Sequence, residues 1–218
     1  MNPFLLWQLA DSAFPTGGFA HASGLEAARE LGIVRSTGDL ARFAAETLWN
    51  AGSFGLPFVT AAHRAPGELA AIDLRCEAFT PGHVANRASR AQGQALLRAA
   101  EAALPASAAL AEQVRRERLP AHLAPVHGAV LRAVGADVAT AQRLFLFGAL
   151  RGVVAAAVRL GLAGPMEGQA LQARLATLAE EVAGACAHLA LEDAAHSNPL
   201  VDLVQAHQDR LYSRLFRS

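Results

Sequence analysis

Alanine-rich segments with helix-forming patterns follow one another along the chain, and short breaks that contain proline or glycine separate them. The alternating pattern of β-branched residues that is typical of half-buried strands is hardly present. Hydrophobic residues make up 53% of the chain and charged residues 17%, a balance that suits closely packed helices with a partly apolar surface. We therefore predict an all-α fold, a single-domain bundle of about nine or ten helices over residues 1–218.

Proline, glycine and capping residues set the predicted helix boundaries. Ser36 and Asp39 have the spacing of a capping box, and Asp137 is suited to cap a long apolar helix. The first three predicted helices are Phe4–Ala10, His21–Leu31 and Ser36–Asn50, and a break at Gly52 and Gly55 follows them. The next three are Leu56–His63, a helix that starts at Pro66-Gly67, and one from Thr80-Pro81 to Leu104. The last four are Ala106–Arg118, Val126–Val134, Asp137–Leu160 and Pro165–Leu191.

The charged residues exclude several classes of function. All 19 residues counted as Lys+Arg are arginine, and the formal net charge is zero. Without lysine, the chain can form neither the phosphate-binding loop of a P-loop nucleotidase nor the Schiff base of a pyridoxal-phosphate enzyme. Zero net charge gives no broad attraction for nucleic acid or for an anionic membrane, so we expect neither as a partner.

The most apolar stretch of the chain is Leu144–Ala163. Two arginines lie within it, and arginine near the centre of an apolar segment opposes membrane insertion. We therefore predict a buried helix. Phe145, Phe147 and Leu150 have spacings compatible with burial, and we predict them to be core or dimer contacts.

The cysteines and the N-terminus indicate the cellular compartment. Cys76 and Cys186 are far apart and form no Cys-x-x-Cys pair. The first residues lack the charged and apolar regions of a signal peptide. These features favour the reducing cytoplasm.

The two ends of the chain carry patterns that the alanine-rich middle lacks. Near the start, Asp11–Glu26 contains a proline and a pair of glycines that break a helix and form a turn. At the end, His207–Ser218 combines aromatic, apolar and arginine residues, a mixture that is enriched at protein interfaces. We predict a docking tail at 199–218 that is partly ordered on its own. Packing of this tail back onto its own domain is the competing interpretation.

These two segments resemble the first and last motifs of the UreF family of urease accessory proteins, D-S-x-x-P-x-G-x-F-x-H-S-x-G-L-E and H-x-x-x-x-Y-x-R-L-F-x-S. Arg87–Arg98 and Ala157–Gly161 are similar to two further segments of that family. In the first motif, Ala22 and Ser23 depart from the residues that the family more often has after the histidine. The resemblance covers nearly the whole chain, and the paired end motifs are more specific together than either is alone.

The resemblance implies a non-enzymatic, homodimeric scaffold that assists nickel insertion into urease, with no firmly bound cofactor and with nickel handled by the complex. It implies three protein partners: a UreD/UreH-type accessory protein, a UreG-type GTPase and the urease apoprotein. The tail would insert into the UreD/UreH-type protein, and the turn near the start would face the GTPase. No catalytic or metal-ligating residue is assigned. The residues predicted to bind partners are Pro15, Gly17, Phe19, His21, Glu26, Leu211, Tyr212, Arg214, Leu215 and Phe216.

Two other functions stay open at this point. His188, Glu192 and His196 are four residues apart, which on a helix would place them on one face with Cys186 nearby, and such a set could bind nickel or zinc. A self-contained metal-dependent helical enzyme is therefore one alternative, and a generic helical adaptor unrelated to urease is another. Spacing alone does not show that ligands converge, so we do not assign these four residues as metal ligands.

Overall fold

The computed structural model describes residues 2–218, the side chains of positions 199 and 200 excepted, so position 1 of the predicted domain lies outside the described residues. Regular secondary structure in this part of the chain is entirely helical, which confirms the predicted all-α fold. Short 3₁₀ turns and loops connect the helices. The α-helices are α1 (Pro3–Ala10), α2 (Leu25–Glu30), α3 (Thr37–Asn50), α4 (Leu56–Arg64), α5 (Leu69–Phe79), α6 (His83–Ala103), α7 (Ala108–Glu117), α8 (Leu123–Ala133), α9 (Val138–Arg159), α10 (Pro165–Cys186) and α11 (Pro199–Ala206).

Local capping explains where several helices begin. At the start of α3, Asp39 N donates to Ser36 Oγ at 3.1 Å and Ser36 N donates to Asp39 Oδ2 at 3.0 Å, as the capping box predicts. The Asp137 carboxylate accepts a hydrogen bond from Thr140 N at 2.7 Å at the start of α9, and Pro165 is the first residue of α10. These starts agree with the sequence because each depends only on residues within one helical turn.

Two predicted helix boundaries are wrong. The helix predicted from His21 begins only after Ser23 and Gly24, because these residues have positive φ angles of 51° and 84°. The last long helix ends at Cys186 and does not reach Leu191. The remaining boundaries lie within about one turn of their predicted positions.

The predicted break at Gly52 and Gly55 is also wrong. A π-helical segment, Ala51–Gly55, joins α3 to α4 without interruption, so the described residues form ten continuous helices. The two glycines permit close packing instead. A Cβ atom on Gly52 would lie 2.4 Å from a methyl group of Val182, and one on Gly55 would lie 2.4 Å from the ring of Phe145.

Two adjoining hydrophobic clusters form the core. The first contains Phe58 and Val130 and lies among α4, α5, α6, α7 and α8. The second contains Leu48 and Val153 and lies among α2, α3, α9 and α10. The half-buried Phe145 packs against both clusters. Because the clusters share the packing of α9 against α4 and α8, the bundle has one continuous interior.

Helix α9 covers most of the apolar stretch noted in the sequence. By length and composition it is the one helix among the described residues that could cross a membrane. It packs against α2, α3, α4, α8 and α10, which accounts for its apolar character within the bundle. Its inner face is therefore a core face, as predicted, while an outer stripe that includes Phe147 stays exposed.

Candidate functional site

Contacts within the turn and with α6 hold the predicted turn near the start of the chain. Asp11 Oδ1 accepts a hydrogen bond from Ala13 N at 2.9 Å, as expected of an aspartate in a turn. Gly17 has a φ of 73° and lies against α6, where a Cβ atom would be 3.3 Å from that of Ala95. The turn leaves the side chain of Phe19 73% exposed.

The end of the chain returns to this turn and pairs with the residues that follow it. Ala22 N donates to Ser218 O at 2.6 Å, and Arg217 N donates to Ala20 O at 2.8 Å. The two predicted docking segments are therefore in direct contact. The sequence alone predicts two separate surfaces, because a local pattern carries no information about a contact between the two ends of a chain.

Glu26 is the main acceptor for the returning tail. Its carboxylate accepts hydrogen bonds from Leu215 N at 2.6 Å and from Phe216 N at 3.0 Å. It also accepts one from Gln208 Nε2 at 2.6 Å. Because Glu26 is 5% exposed, these hydrogen bonds are shielded from water, and they fix the tail backbone on α2.

His21 lies beneath the same junction. It is buried, and its Nδ1 atom lies 2.8 Å from Ser218 Oγ. Burial, with the nearby charges of Arg217 and Arg87, lowers the pKa of His21 to about 4. The imidazole is therefore neutral at pH 7 and serves as a hydrogen-bonding residue.

The ten residues predicted to bind partners divide by exposure. His21, Glu26 and Phe216 are buried, so their side chains are not available for direct contact with a partner. The competing interpretation, that the tail packs onto its own domain, therefore holds for Phe216. Leu211 is half-buried, and the exposed members are Pro15, Gly17, Phe19, Tyr212, Arg214 and Leu215.

Asp209 anchors the tail to α6 and was not singled out from the sequence. Its carboxylate accepts from Arg87 Nη2 at 2.9 Å and from Arg214 Nη1 at 2.8 Å, and His83 Nε2 lies 3.2 Å away. The hydrogen bond from Arg87 is the main reason that the pKa of Asp209 is lowered. Both Arg87 and Asp209 fall inside segments that resemble the UreF family, which is the signal that could have identified them.

Arg159 is a second site residue that the sequence pattern does not identify. Its guanidinium carbon lies 3.6 Å from the ring centroid of Phe19 and 4.3 Å from that of Phe216. It also donates a hydrogen bond to Phe19 O. The turn, the tail and the end of α9 therefore meet at this one side chain.

The residues weighed as metal ligands do not converge. They do not share a helix, because α10 ends at Cys186. Glu192 accepts from Arg75 Nη1 at 2.9 Å, while the His196 ring stacks on Phe54 with centroids 4.1 Å apart. In the part of the chain that the structure describes, no group of three or more His, Cys, Asp or Glu side chains is placed to hold a metal ion.

A separate apolar groove of about 410 Å³ lies between α9 and α10. Phe147 and Leu150 line it, beside an ion pair in which Arg143 Nε lies 2.9 Å from a Glu180 carboxylate oxygen. Of the three residues predicted to be core or dimer contacts, Leu150 is buried, Phe145 is half-buried and Phe147 is exposed.

Comparison with known proteins gives consistent matches. The sequence model of the family described as UreF matches residues 34–176. The chain is similar to a urease accessory protein F of Arabidopsis thaliana, with 38% identity over 219 residues, covering 97% of this chain and 91% of that protein. It is 37% identical over 217 residues to a urease accessory protein F of Oryza sativa subsp. japonica, covering 96% and 83% of the two chains. A urease accessory protein UreF of Mycobacterium sp. (strain JLS) is 33% identical over 206 residues, covering 94% of each chain.

Proposed function

The chain belongs to the UreF family of urease accessory proteins, and we propose that it is a cytoplasmic scaffold that links a UreD/UreH-type protein and a UreG-type GTPase to apo-urease. Its role in urease maturation is an accessory one, and it is not an enzyme. In the proposed complex, nickel is the cargo and the GTPase carries the nucleotide. The absence of lysine supports this division, since this chain cannot supply the phosphate-binding lysine of a P-loop.

One observation carries the docking part of the proposal: three large apolar side chains are exposed on the turn and on the tail, and these two segments contact each other. Tyr212 is fully exposed, Phe19 is 73% exposed and Leu215 is 53% exposed. Apolar anchors beside arginines are typical of interface hot spots, and the tail supplies Arg214 next to Leu215. In this proposal the tail inserts into the UreD/UreH-type protein and the adjoining turn faces the GTPase.

The test is a double replacement, Tyr212→Ala with Leu215→Ala. We expect it to weaken binding of the UreD/UreH-type protein by at least about tenfold, because both anchors are exposed and available to a partner. Affinity measured with the purified partners, together with circular dichroism of the variant, checks this result.

The matched control is Leu74→Ala on α5, since Leu74 is 55% exposed and lies outside both docking segments. It should bind both partners like the unaltered protein. Normal binding by the double variant would contradict the docking proposal, as would equal losses in the double variant and the control.

The groove between α9 and α10 supports homodimer formation as a further part of this proposal. The groove presents apolar Phe147 together with one cationic and one anionic residue, Arg143 and Glu180. A face with both charges can be complementary to itself across a twofold axis. We expect Phe147→Glu to shift the protein from dimer to monomer in sedimentation equilibrium, with Leu74→Glu as the control. A Phe147→Glu protein that stays dimeric would contradict this assignment.

A further inference from the structure

We propose that Arg159 is the positioning residue that joins the turn and the tail into a single docking surface. The inference rests on the docking function proposed above and identifies the side chain that sets the two predicted segments relative to each other. Nothing in the sequence pattern alone gives Arg159 this role, because its partners come from the opposite ends of the chain.

The geometry is that of a cation between two aromatic faces. The Phe19 ring centroid is 3.6 Å and the Phe216 ring centroid 4.3 Å from the guanidinium carbon of Arg159. Both distances are within the range of favourable cation–π contacts. A guanidinium is planar, so it can stack on two rings, and it still donates a hydrogen bond to Phe19 O.

The position of Arg159 makes it a fixed reference for both segments. It is the last residue of α9, a helix that belongs to neither segment and packs against five other α-helices. Phe216 is buried in the second core cluster, whereas Phe19 is 73% exposed. The contact with Arg159 therefore orients the exposed ring with respect to the buried one, and so with respect to the tail.

Other contacts hold the tail backbone independently of Arg159. Glu26 accepts from Leu215 N and Phe216 N, and Ala22 N donates to Ser218 O. Loss of the Arg159 side chain should therefore leave the tail attached and the bundle folded. What changes is the relative placement of the exposed side chains that a partner would contact.

The experiment compares Arg159→Met, which keeps an apolar chain of similar length, with Arg159→Lys, which keeps the charge and loses the planar group. We expect Arg159→Met to weaken binding of the UreD/UreH-type partner by about tenfold, and Arg159→Lys to show an intermediate loss. Hydrogen exchange should accelerate at the amide of Arg217, whose acceptor Ala20 O belongs to the turn, and stay unchanged at the amide of Phe216, which Glu26 holds, and in the core of α9.

The control is Arg75→Met, because Arg75 lies over a single ring, that of Phe79, with 5.5 Å to its centroid. It should leave partner affinity within about twofold of the unaltered protein. Comparing the two variants shows whether the loss of affinity comes from removing any stacked arginine or only from removing the arginine where the turn and the tail meet.

Normal affinity in Arg159→Met, together with loss of binding in the Tyr212→Ala and Leu215→Ala double variant, would overturn this inference and leave the proposed function intact. Normal affinity in both would overturn the proposed function as well. Should Arg159→Met fail to fold, Phe19→Leu removes one ring of the stack at an exposed position. Unchanged affinity and unchanged exchange at Arg217 in that variant would then overturn the positioning role.

Discussion

Gly93→Ala is expected to lower the free energy of unfolding by about 3 kcal/mol, since inserting even one methyl group into a close backbone contact forces the neighbouring segments apart. Gly93 lies on α6, where that helix crosses the segment that leads into α8. A Cβ atom at this position would lie 2.0 Å from Ala121 O and 2.7 Å from the carbonyl carbon of His122. Both are backbone atoms, so no side-chain rotation relieves the overlap. Urea denaturation followed by circular dichroism measures the loss.

A second glycine provides the control for this substitution. Gly184 is exposed on α10, and a Cβ atom there would meet nothing within 4 Å. Gly184→Ala should therefore stabilise the protein by about 0.5–1 kcal/mol, because alanine is the better helix former. Equal stability of the two alanine variants would show that α6 and the segment before α8 are not in the close contact described here.

Asp73→Ala is the second substitution with a large expected effect, a loss of about 3 kcal/mol in the free energy of unfolding. Asp73 is 1% exposed, and its carboxylate accepts from Ala121 N and from His122 N, each at 2.7 Å. Burial raises the pKa of Asp73 even though the two amide donors act in the opposite direction. Removing the carboxylate would leave two buried N–H groups without an acceptor, and that desolvation cost is the source of the expected loss.

The surroundings of Asp73 show why this carboxylate matters to the fold. His122 is the N-cap residue of α8, and its side chain makes no capping hydrogen bond. Asp73, which lies on the neighbouring helix α5, provides the acceptor in its place. Ser89 on α6 adds to it by accepting from Leu123 N at 3.2 Å. The His122 ring lies between Ser89 Oγ, 3.0 Å from Nδ1, and Glu77 Oε2, 2.6 Å from Nε2. These contacts tie α5, α6 and α8 together.

Two variants make the Asp73 experiment specific. Asp73→Asn should lose less stability than Asp73→Ala, because the amide keeps one acceptor oxygen of the same shape. Asp137→Ala removes the cap of α9 at an exposed position and should cost less, since water can replace the lost acceptor. If Asp73→Ala proves no more destabilising than Asp137→Ala under the same denaturant titration, the buried capping role is wrong.

The helices were predictable because their signals are local. The capping box at Ser36 and Asp39, the cap at Asp137 and the proline that opens α10 each act within one turn, and each was confirmed. The helix boundaries that were predicted wrongly depend on tertiary packing or on an unusual backbone conformation. Gly52 was predicted to interrupt a helix, yet the helix continues through a π-helical segment, and Val182 occupies the space that a side chain at this glycine would need.

The candidate site was predictable only in its parts. The end motifs identified Phe19 and Tyr212 as partner-binding candidates, and this role stays a prediction. Local pattern could not show that Glu26 binds the tail, because its acceptor role depends on residues such as Leu215 at the far end of the chain. Asp209 and Arg159 were missed for the same reason: each lies in a segment that resembles the family, but the residues they contact, Arg87 and Phe19, are far away in sequence.

By itself, the sequence determined an all-helical chain, the places where most helices begin and end, and membership of a family marked by motifs at both ends. Only the tertiary structure decided that those ends meet, with His21 beside Ser218 and Arg159 between two aromatic rings. The physical reason is the range of the interactions. Helix capping and helix breaking depend on neighbours within a few residues, whereas hydrogen bonds and stacking between the ends exist only after the bundle has brought distant segments into contact.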